Sequence, residues 1–207
     1  MLKHCQHFCL SNAGVRVAYT GTMSTITIAV IEGTTRPGRK TVPAAKLLVK
    51  VGESFKDVKI IYVDPVELDL PFDGDDPDKR DPNYAKITEQ ADAFFILTPE
   101  YNHSFPGSLK RLLDSEYDNY KHKVAAIAGA SSGMWGGVRA VESLVPVLRK
   151  LGLVVITPNV YFQHVQDAFD EKGDPKDPAV IVVIEKVYAE LIWMAKTLKY
   201  GREHIEL

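Results

Sequence analysis

The stretch Ala93-Phe94-Phe95-Ile96-Leu97-Thr98, followed at once by Pro99-Glu100-Tyr101-Asn102-His103-Ser104-Phe105-Pro106-Gly107, decides the fold. Its first half is apolar at nearly every position, so both faces of the strand it forms must be covered, as in a parallel sheet with helices on either side. Its second half is polar and aromatic and runs into Pro106, a residue suited to opening a helix. The same alternation extends outward in both directions. Strands are expected at 25–31, 58–63, 93–98, 123–128 and 153–157, and helices near 42–51, 83–90, 106–115, 137–151 and 178–199. Strict alternation of strand and helix specifies a doubly wound α/β domain. The count fits the five-stranded 2-1-3-4-5 flavodoxin-like order, with helices on both faces. A six-stranded dinucleotide fold would want another strand and a G-x-G-x-x-G after the first.

Composition narrows the classes of function. The chain has 207 residues, 25 Lys+Arg against 27 Asp+Glu, a net charge of −2, 45% hydrophobic and 25% charged residues. It carries no basic excess to neutralise a phosphate backbone, which argues against a nucleic-acid partner. No apolar run approaches the roughly 18 residues of a membrane span. Cys5 and Cys9 both lie in Met1–Thr22, ahead of a second methionine, Met23. This arm reads as an N-terminal extension, either a non-native leader or a presequence. A metal-binding arm built on His4, Cys5, His7 and Cys9 is the other reading, although these residues crowd together more tightly than the usual paired layout of a zinc site. The folded domain is then 23–207. It lacks cysteine, and a cytoplasmic location is the simplest expectation.

In open α/β sheets ligands bind beyond the carboxyl ends of the strands, where the strand order reverses. Three loops there are unusual. Gly33-Thr34-Thr35-Arg36-Pro37-Gly38-Arg39 places hydroxyls and guanidinium groups before a helix start, the arrangement of a site for a terminal phosphate; it lacks the Walker pattern. The alternative is a Pro-Gly turn with solvated arginines. The second loop, 99–107, is able to lay main-chain groups along a flat heterocycle, or is an ordinary turn in which Asn102 and Ser104 cap. The third, Gly129-Ala130-Ser131-Ser132-Gly133-Met134-Trp135-Gly136-Gly137, fits G-x-S-x-G and so admits a serine hydrolase with Ser131 as nucleophile. The later histidines, His164 and His204, are poorly placed for that chemistry, and a glycine-rich loop also lets backbone approach a ring.

Together these loops resemble the NADPH-dependent FMN reductase family, flavodoxin-like enzymes that include quinone and azo-dye reductases. The resemblance runs from Ile26 to about Tyr161. It is carried by Thr98-Pro99-Glu100-Tyr101-Asn102-His103-Ser104-Phe105-Pro106-Gly107-Ser108-Leu109-Lys110, by Gly136-Gly137-Val138-Arg139-Ala140, and by the first loop, where Thr34 stands in place of the usual serine. Arg111 departs from the family's frequent asparagine. The resemblance implies that Thr34, Arg36 and Arg39 hold the FMN phosphate, that Pro99, Glu100, Tyr101 and Asn102 line the isoalloxazine mainly through main chain, and that Ser131 and neighbouring glycines approach its pyrimidine end. It implies hydride transfer from NADPH or NADH to FMN and then ping-pong reduction of a small-molecule oxidant, with the flavin carrying the chemistry and no catalytic side chain. It also implies a homodimer or a tetramer built from two. A non-catalytic electron carrier on the same fold is the other class.

Three further features carry expectations. The last helix has Val180, Val183, Ile184, Val187, Leu191, Met194 and Leu198 along one face, with Ile181, Ile192 and Trp193 beside it, a width suited to burial on two sides. Pro146 falls inside the fourth helix, where it should cost a hydrogen bond. The acidic, Pro-rich loop between Asp64 and Pro82 does not meet the register of a calcium loop and reads as a solvated rim or lid.

Overall fold

The computed structural model describes residues 25–70 and 81–206. The N-terminal arm with His4, Cys5, His7 and Cys9, and the middle of the acidic loop, lie outside the described residues.

Among the described residues six strands form one sheet: β1 (Ile26–Glu32), β2 (Val58–Val63), β3 (Ala93–Pro99), β4 (Val124–Ala130), β5 (Val154–Val155) and β6 (Val160–Phe162). All pairs are parallel and the order is β2-β1-β3-β4-β5, as expected, with β6 also paired to β4. Among the described residues four α-helices connect them, α1 (Val42–Gly52), α2 (Pro82–Gln90), α3 (Gly107–Asp114) and α4 (Val138–Lys150), and α5 (Ala179–His204) follows the last strand.

The apolar strands divide their side chains between two cores. Ile28, Val30, Phe95, Leu97, Ala126 and Ala128 pack with α1 and α5. Their neighbours Ala29, Ile31, Phe94, Ile96, Ala125 and Ile127 point the other way, into the layer of α2, α3 and α4. At the end of the sheet opposite the loops, Asp92 accepts from Thr27 N (3.1 Å), Lys199 Nζ (3.0 Å) and Arg202 Nη2 (2.8 Å), fastening the last turns of α5 to the strand starts.

The fifth strand departs from expectation. A single strand at 153–157 was read from an unbroken apolar run, but the edge is split. Val154 and Val155 pair with Val124 and Ala125, and Val160–Phe162 pair with Ala128–Ala130. Residues 156–159 therefore face only Ala126 and Ile127, and the excess bulges outward. Pro158, without an N–H, cannot join the ladder there. The bulge lets β6 carry the sheet up to the third loop, where Phe162 O accepts from Ser131 N (3.1 Å).

α5 buries Ile184, Val187, Tyr188, Leu191 and Ala195 inside this chain. Val182, Val183, Trp193 and Tyr200 remain exposed, so one side of the wide apolar face is covered by the sheet and the other is open. α4 runs through Pro146, which is exposed; the Glu142 carbonyl that loses its partner sits on the same water-facing side. Two residues of the acidic loop have structural roles. Asp64 accepts from Val66 N (3.0 Å) at the start of a short 3-10 turn. Asp81, almost fully buried, accepts from Asp69 N, Asn83 N and Tyr84 N at 2.8, 2.8 and 3.0 Å and so caps α2. Asp81→Ala is expected to cost about 1 kcal/mol, the usual value of an N-cap, read as a lower urea midpoint with unchanged slope.

Candidate functional site

The first loop begins where β1 ends. Gly33 N donates to Leu97 O (2.7 Å), and a Cβ on Gly33 would stand 2.5 Å from that oxygen, so only glycine crosses β3 here. Thr34 is buried; its Oγ1 accepts from Arg36 N (3.2 Å) and lies 3.0 Å from Tyr101 Oη. Arg36 is exposed, its guanidinium 5.8 Å from the centre of the Tyr101 ring, and it has no carboxylate partner among the described residues. Arg39 is placed differently. Its Nε donates to Glu32 Oε1 (2.9 Å) and its Nη2 pairs with Asp64, and these neighbouring carboxylates hold its pKa above the ordinary value against the opposing effect of burial. Thr41, at the N-cap of α1, gives its hydroxyl to Glu32 Oε1 (2.7 Å), so α1 has no side-chain cap and its first N–H groups are left for another acceptor.

The second loop is a tight turn. Tyr101 N donates to Ser104 O (2.8 Å) and Ser104 N to Tyr101 O (3.0 Å), with Asn102 and His103 between them at φ 49° and 65°. Two successive left-handed residues are the mark of a type I′ turn, which asparagine tolerates well. Both tip residues are exposed. Glu100 N donates to Ala130 O (2.9 Å), and its carboxylate accepts from Arg139 N (3.2 Å) and Arg139 Nη1 (3.1 Å). The two motifs that carry the family resemblance are thus bonded to each other, with Glu100 at the positive end of α4.

In the third loop Ser131 N is taken by Phe162 O, and Ser131 Oγ donates to Gly133 O (3.2 Å). Val165 N donates to Ser131 O (3.0 Å), and His164 Nδ1 lies 3.1 Å from Ser132 O rather than against the Ser131 hydroxyl. His204 is stacked on Tyr200 at the far end of α5. No base among the described residues therefore activates Ser131, and α4 begins only at Val138, so the serine-hydrolase arrangement is absent from this loop. One of the loop's glycines has a packing role. Gly137, at φ 89°, lies buried against β4, where a Cβ would be 2.6 Å from Ala130 N; it lets the loop close on the sheet.

The three loops enclose a cleft of about 390 Å³, within the range of roughly 300–1,000 Å³ common for small-molecule sites. Thr34, Arg36, Arg39, Pro99, Glu100, Tyr101 and Ser131 all line it; Asn102 does not. Lys40, Thr41, Ser132 and Val165 also line it and went unread in the sequence. Lys40 and Thr41 follow the first loop directly and were legible as its continuation. Val165 comes in through β6, which the sequence did not reveal. Among the described residues no group of three or more His, Cys, Asp or Glu is arranged to hold a metal ion, and no helix is long and apolar enough to cross a membrane.

Comparison with known proteins places this cleft in context. Residues 26–167 match the NADPH-dependent FMN reductase family. An NAD(P)H-dependent FMN reductase of Pseudomonas aeruginosa is 34% identical over 112 residues, 51% of this chain and 60% of that protein's length. A 2-hydroxy-1,4-benzoquinone reductase of a Burkholderia species is 32% identical over 71% of this chain and 84% of its own. Among solved structures, the flavoenzyme NAD(P)H:(acceptor) oxidoreductase FerB of Paracoccus denitrificans superposes with a TM-score of 0.70 at 25% identity, over 83% of this chain and 98% of that one. The family match spans all three loops and stops just past Val165, the last residue to line the cleft. On that coincidence of matched sequence and built site, the chain belongs to the NADPH-dependent FMN reductase family.

Proposed function

We propose that this protein is an FMN-dependent NAD(P)H oxidoreductase that reduces small organic oxidants such as quinones, free flavins or azo compounds. The observation that carries the reading is the convergence of an anion-binding loop and a polar, main-chain-rich loop on one cleft at the strand ends. The donor set suits FMN. A hydroxyl, a guanidinium without a carboxylate partner and an uncapped helix start match a phosphate, and the Pro99–Tyr101 backbone and Ser131 offer groups for a ring edge. When bound, FMN supplies the redox chemistry, taking hydride from the nicotinamide and passing electrons on to the oxidant.

The chain's own contribution is binding and orientation. Thr34 and Arg36 hold the phosphate, with Arg39 on the same wall. Pro99, Glu100 and Tyr101 run along the ring, and Asn102 forms the exposed tip of the turn that shapes their loop. The Glu100–Arg139 bonds fix its spacing from the third loop, so both present a rigid surface that costs little to organise on binding. The Ser131 hydroxyl contributes as a polar group at the ring edge, since its N–H is already committed to Phe162. No side chain is required to act as acid or base.

Residues 23–207 are one reductase domain that works in the cytoplasm as a homodimer or as a tetramer built from two such dimers. The lack of cysteine after Cys9 supports the location. Exposed Met134 and Trp135 beside the cleft support the assembly, since apolar side chains of that size are more often covered by a partner. Anaerobic addition of NADPH or NADH to the FMN-loaded protein tests the function. The flavin absorbance should bleach without any partner reductase and return on adding benzoquinone, with parallel lines in double-reciprocal plots of steady-state rates. A flavin band inert to both nucleotides would make the protein an electron carrier instead. A colourless protein labelled at Ser131 by a fluorophosphonate would make it a hydrolase.

A further inference from the structure

Glu32, the last residue of β1, is fully buried. A carboxylate in such a place is costly unless its oxygens are engaged. Here Oε1 accepts from Arg39 Nε (2.9 Å) and Thr41 Oγ1 (2.7 Å), and Oε2 accepts from Tyr62 Oη (2.6 Å). Burial and the adjacent carboxylates raise the Tyr62 pKa well beyond its ordinary value, so the phenol keeps its proton and donates. Arg39 is held from the other side by Asp64. The residues that follow Gly33 are thereby tied back, through Arg39 and Thr41, to the strand they left.

We propose that Glu32 is a positioning residue for the phosphate grip: it draws Arg39 and the Thr41 hydroxyl away from the anion, leaving Thr34, Arg36 and the uncapped start of α1 as its partners. The inference rests on the FMN reading above. Two physical consequences support it. Released from Glu32, Thr41 is free to leave the αR conformation it holds now and turn its hydroxyl onto Ala44 N, a donor an anion needs because Pro43 offers no N–H. Released from Glu32, the far end of the loop loses the two bonds, from Arg39 and Thr41, that tie it to β1, and the order they provide must then be supplied on binding. The opposite reading, in which Arg39 is itself a direct phosphate ligand blunted by Glu32, makes the opposite prediction: neutralising Glu32 frees a cation and tightens binding.

The test compares FMN with riboflavin, which lacks the phosphate, in titrations of the full chain followed by flavin fluorescence. Glu32→Gln is expected to weaken FMN binding about tenfold, the lower end of what losing an orienting residue costs at a bound group, with riboflavin affinity unchanged. Tyr62→Phe removes one bond and leaves the charge and the shape intact, so it should fold normally and shift FMN affinity in the same direction by less; Glu32→Asp should recover part of the loss. FMN affinity unchanged or tightened in Glu32→Gln and Tyr62→Phe would overturn the proposal, as would equal losses for both flavins. A wild-type protein that binds neither flavin would overturn the functional reading itself, a result distinct from wild-type binding that the variants leave untouched.

Discussion

Replacing Arg36 by alanine is expected to weaken FMN binding about 10- to 100-fold. The estimate follows from the loss of a hydrogen bond to a charged group, about 1.5–3 kcal/mol, at about 1.4 kcal/mol per tenfold. Arg36 is the obvious candidate because its guanidinium is exposed over Tyr101 with no carboxylate partner among the described residues, whereas Arg39 is shared between Glu32 and Asp64. The loss should be specific. Turnover at saturating FMN should fall far less than affinity, because the arginine grips a part of the cofactor remote from hydride transfer. Riboflavin affinity should not change. Arg36→Lys keeps the charge without the planar fork and should fall between the two. Equal FMN affinity in Arg36→Ala, measured by fluorescence titration, would remove Arg36 from the site.

The largest effect on stability is expected from Gly137→Ala. At φ 89° an L-residue pays a left-handed penalty of about 1–2 kcal/mol, and the new Cβ would sit 2.6 Å from Ala130 N and 3.0 Å from Gly129 C, both backbone atoms that cannot swing aside. Overpacking of this kind costs about 1–3 kcal/mol more. A total of about 3 kcal/mol corresponds to a fall in Tm of roughly 6–12 °C for a chain of this length. Gly133→Ala, in the same loop, is the control. Gly133 is exposed, with nothing within 4 Å of the added Cβ, and its Tm should stay near that of the wild type. A Gly137→Ala protein that melts with the wild type would mean the third loop does not close on β4 as described. Its FMN affinity should also fall, since the displaced loop carries Ser131.

Much of this architecture was legible in the residues, for a physical reason. Strands such as Ala93–Pro99 and Val124–Ala130 are apolar on both faces, and a covered parallel sheet accommodates them, so the strands followed from composition, and their order from the count of alternating strands and helices. The edge was harder. The run Leu153 to Thr157 has the composition of one strand, and only Pro158, which cannot donate, marks the place where pairing lapses before β6 resumes it. The sign was present, but the two-residue excess depends on the register with β4, which no local pattern encodes.

The site divides in the same way. The loops were visible as clusters of polar, glycine and aromatic residues at strand ends, but the bonds between them were not. Glu100 and Arg139 were each singled out within a motif, but they stand 39 positions apart and nothing local shows that the two motifs are bonded to each other. Glu32 is the clearest omission. A glutamate closing an apolar strand reads as the first solvated residue of a loop, yet it is buried because its partners come from three separate places, Arg39, Thr41 and Tyr62. The Gly136-Gly137 pair stood out in the sequence as part of a motif, but the contact with β4 and β6 that leaves no room for a Cβ there was visible only in the fold.

The claim beneath all of this is that three loops at the carboxyl ends of the strands bind a phosphorylated flavin. Titration of the purified, flavin-free protein with FMN, followed by fluorescence quenching, addresses it most directly. The account predicts saturable binding of one FMN per chain with a Kd of about micromolar or below, and weaker binding of riboflavin. Fluorescence that stays that of free FMN up to roughly a hundred times that concentration would contradict it.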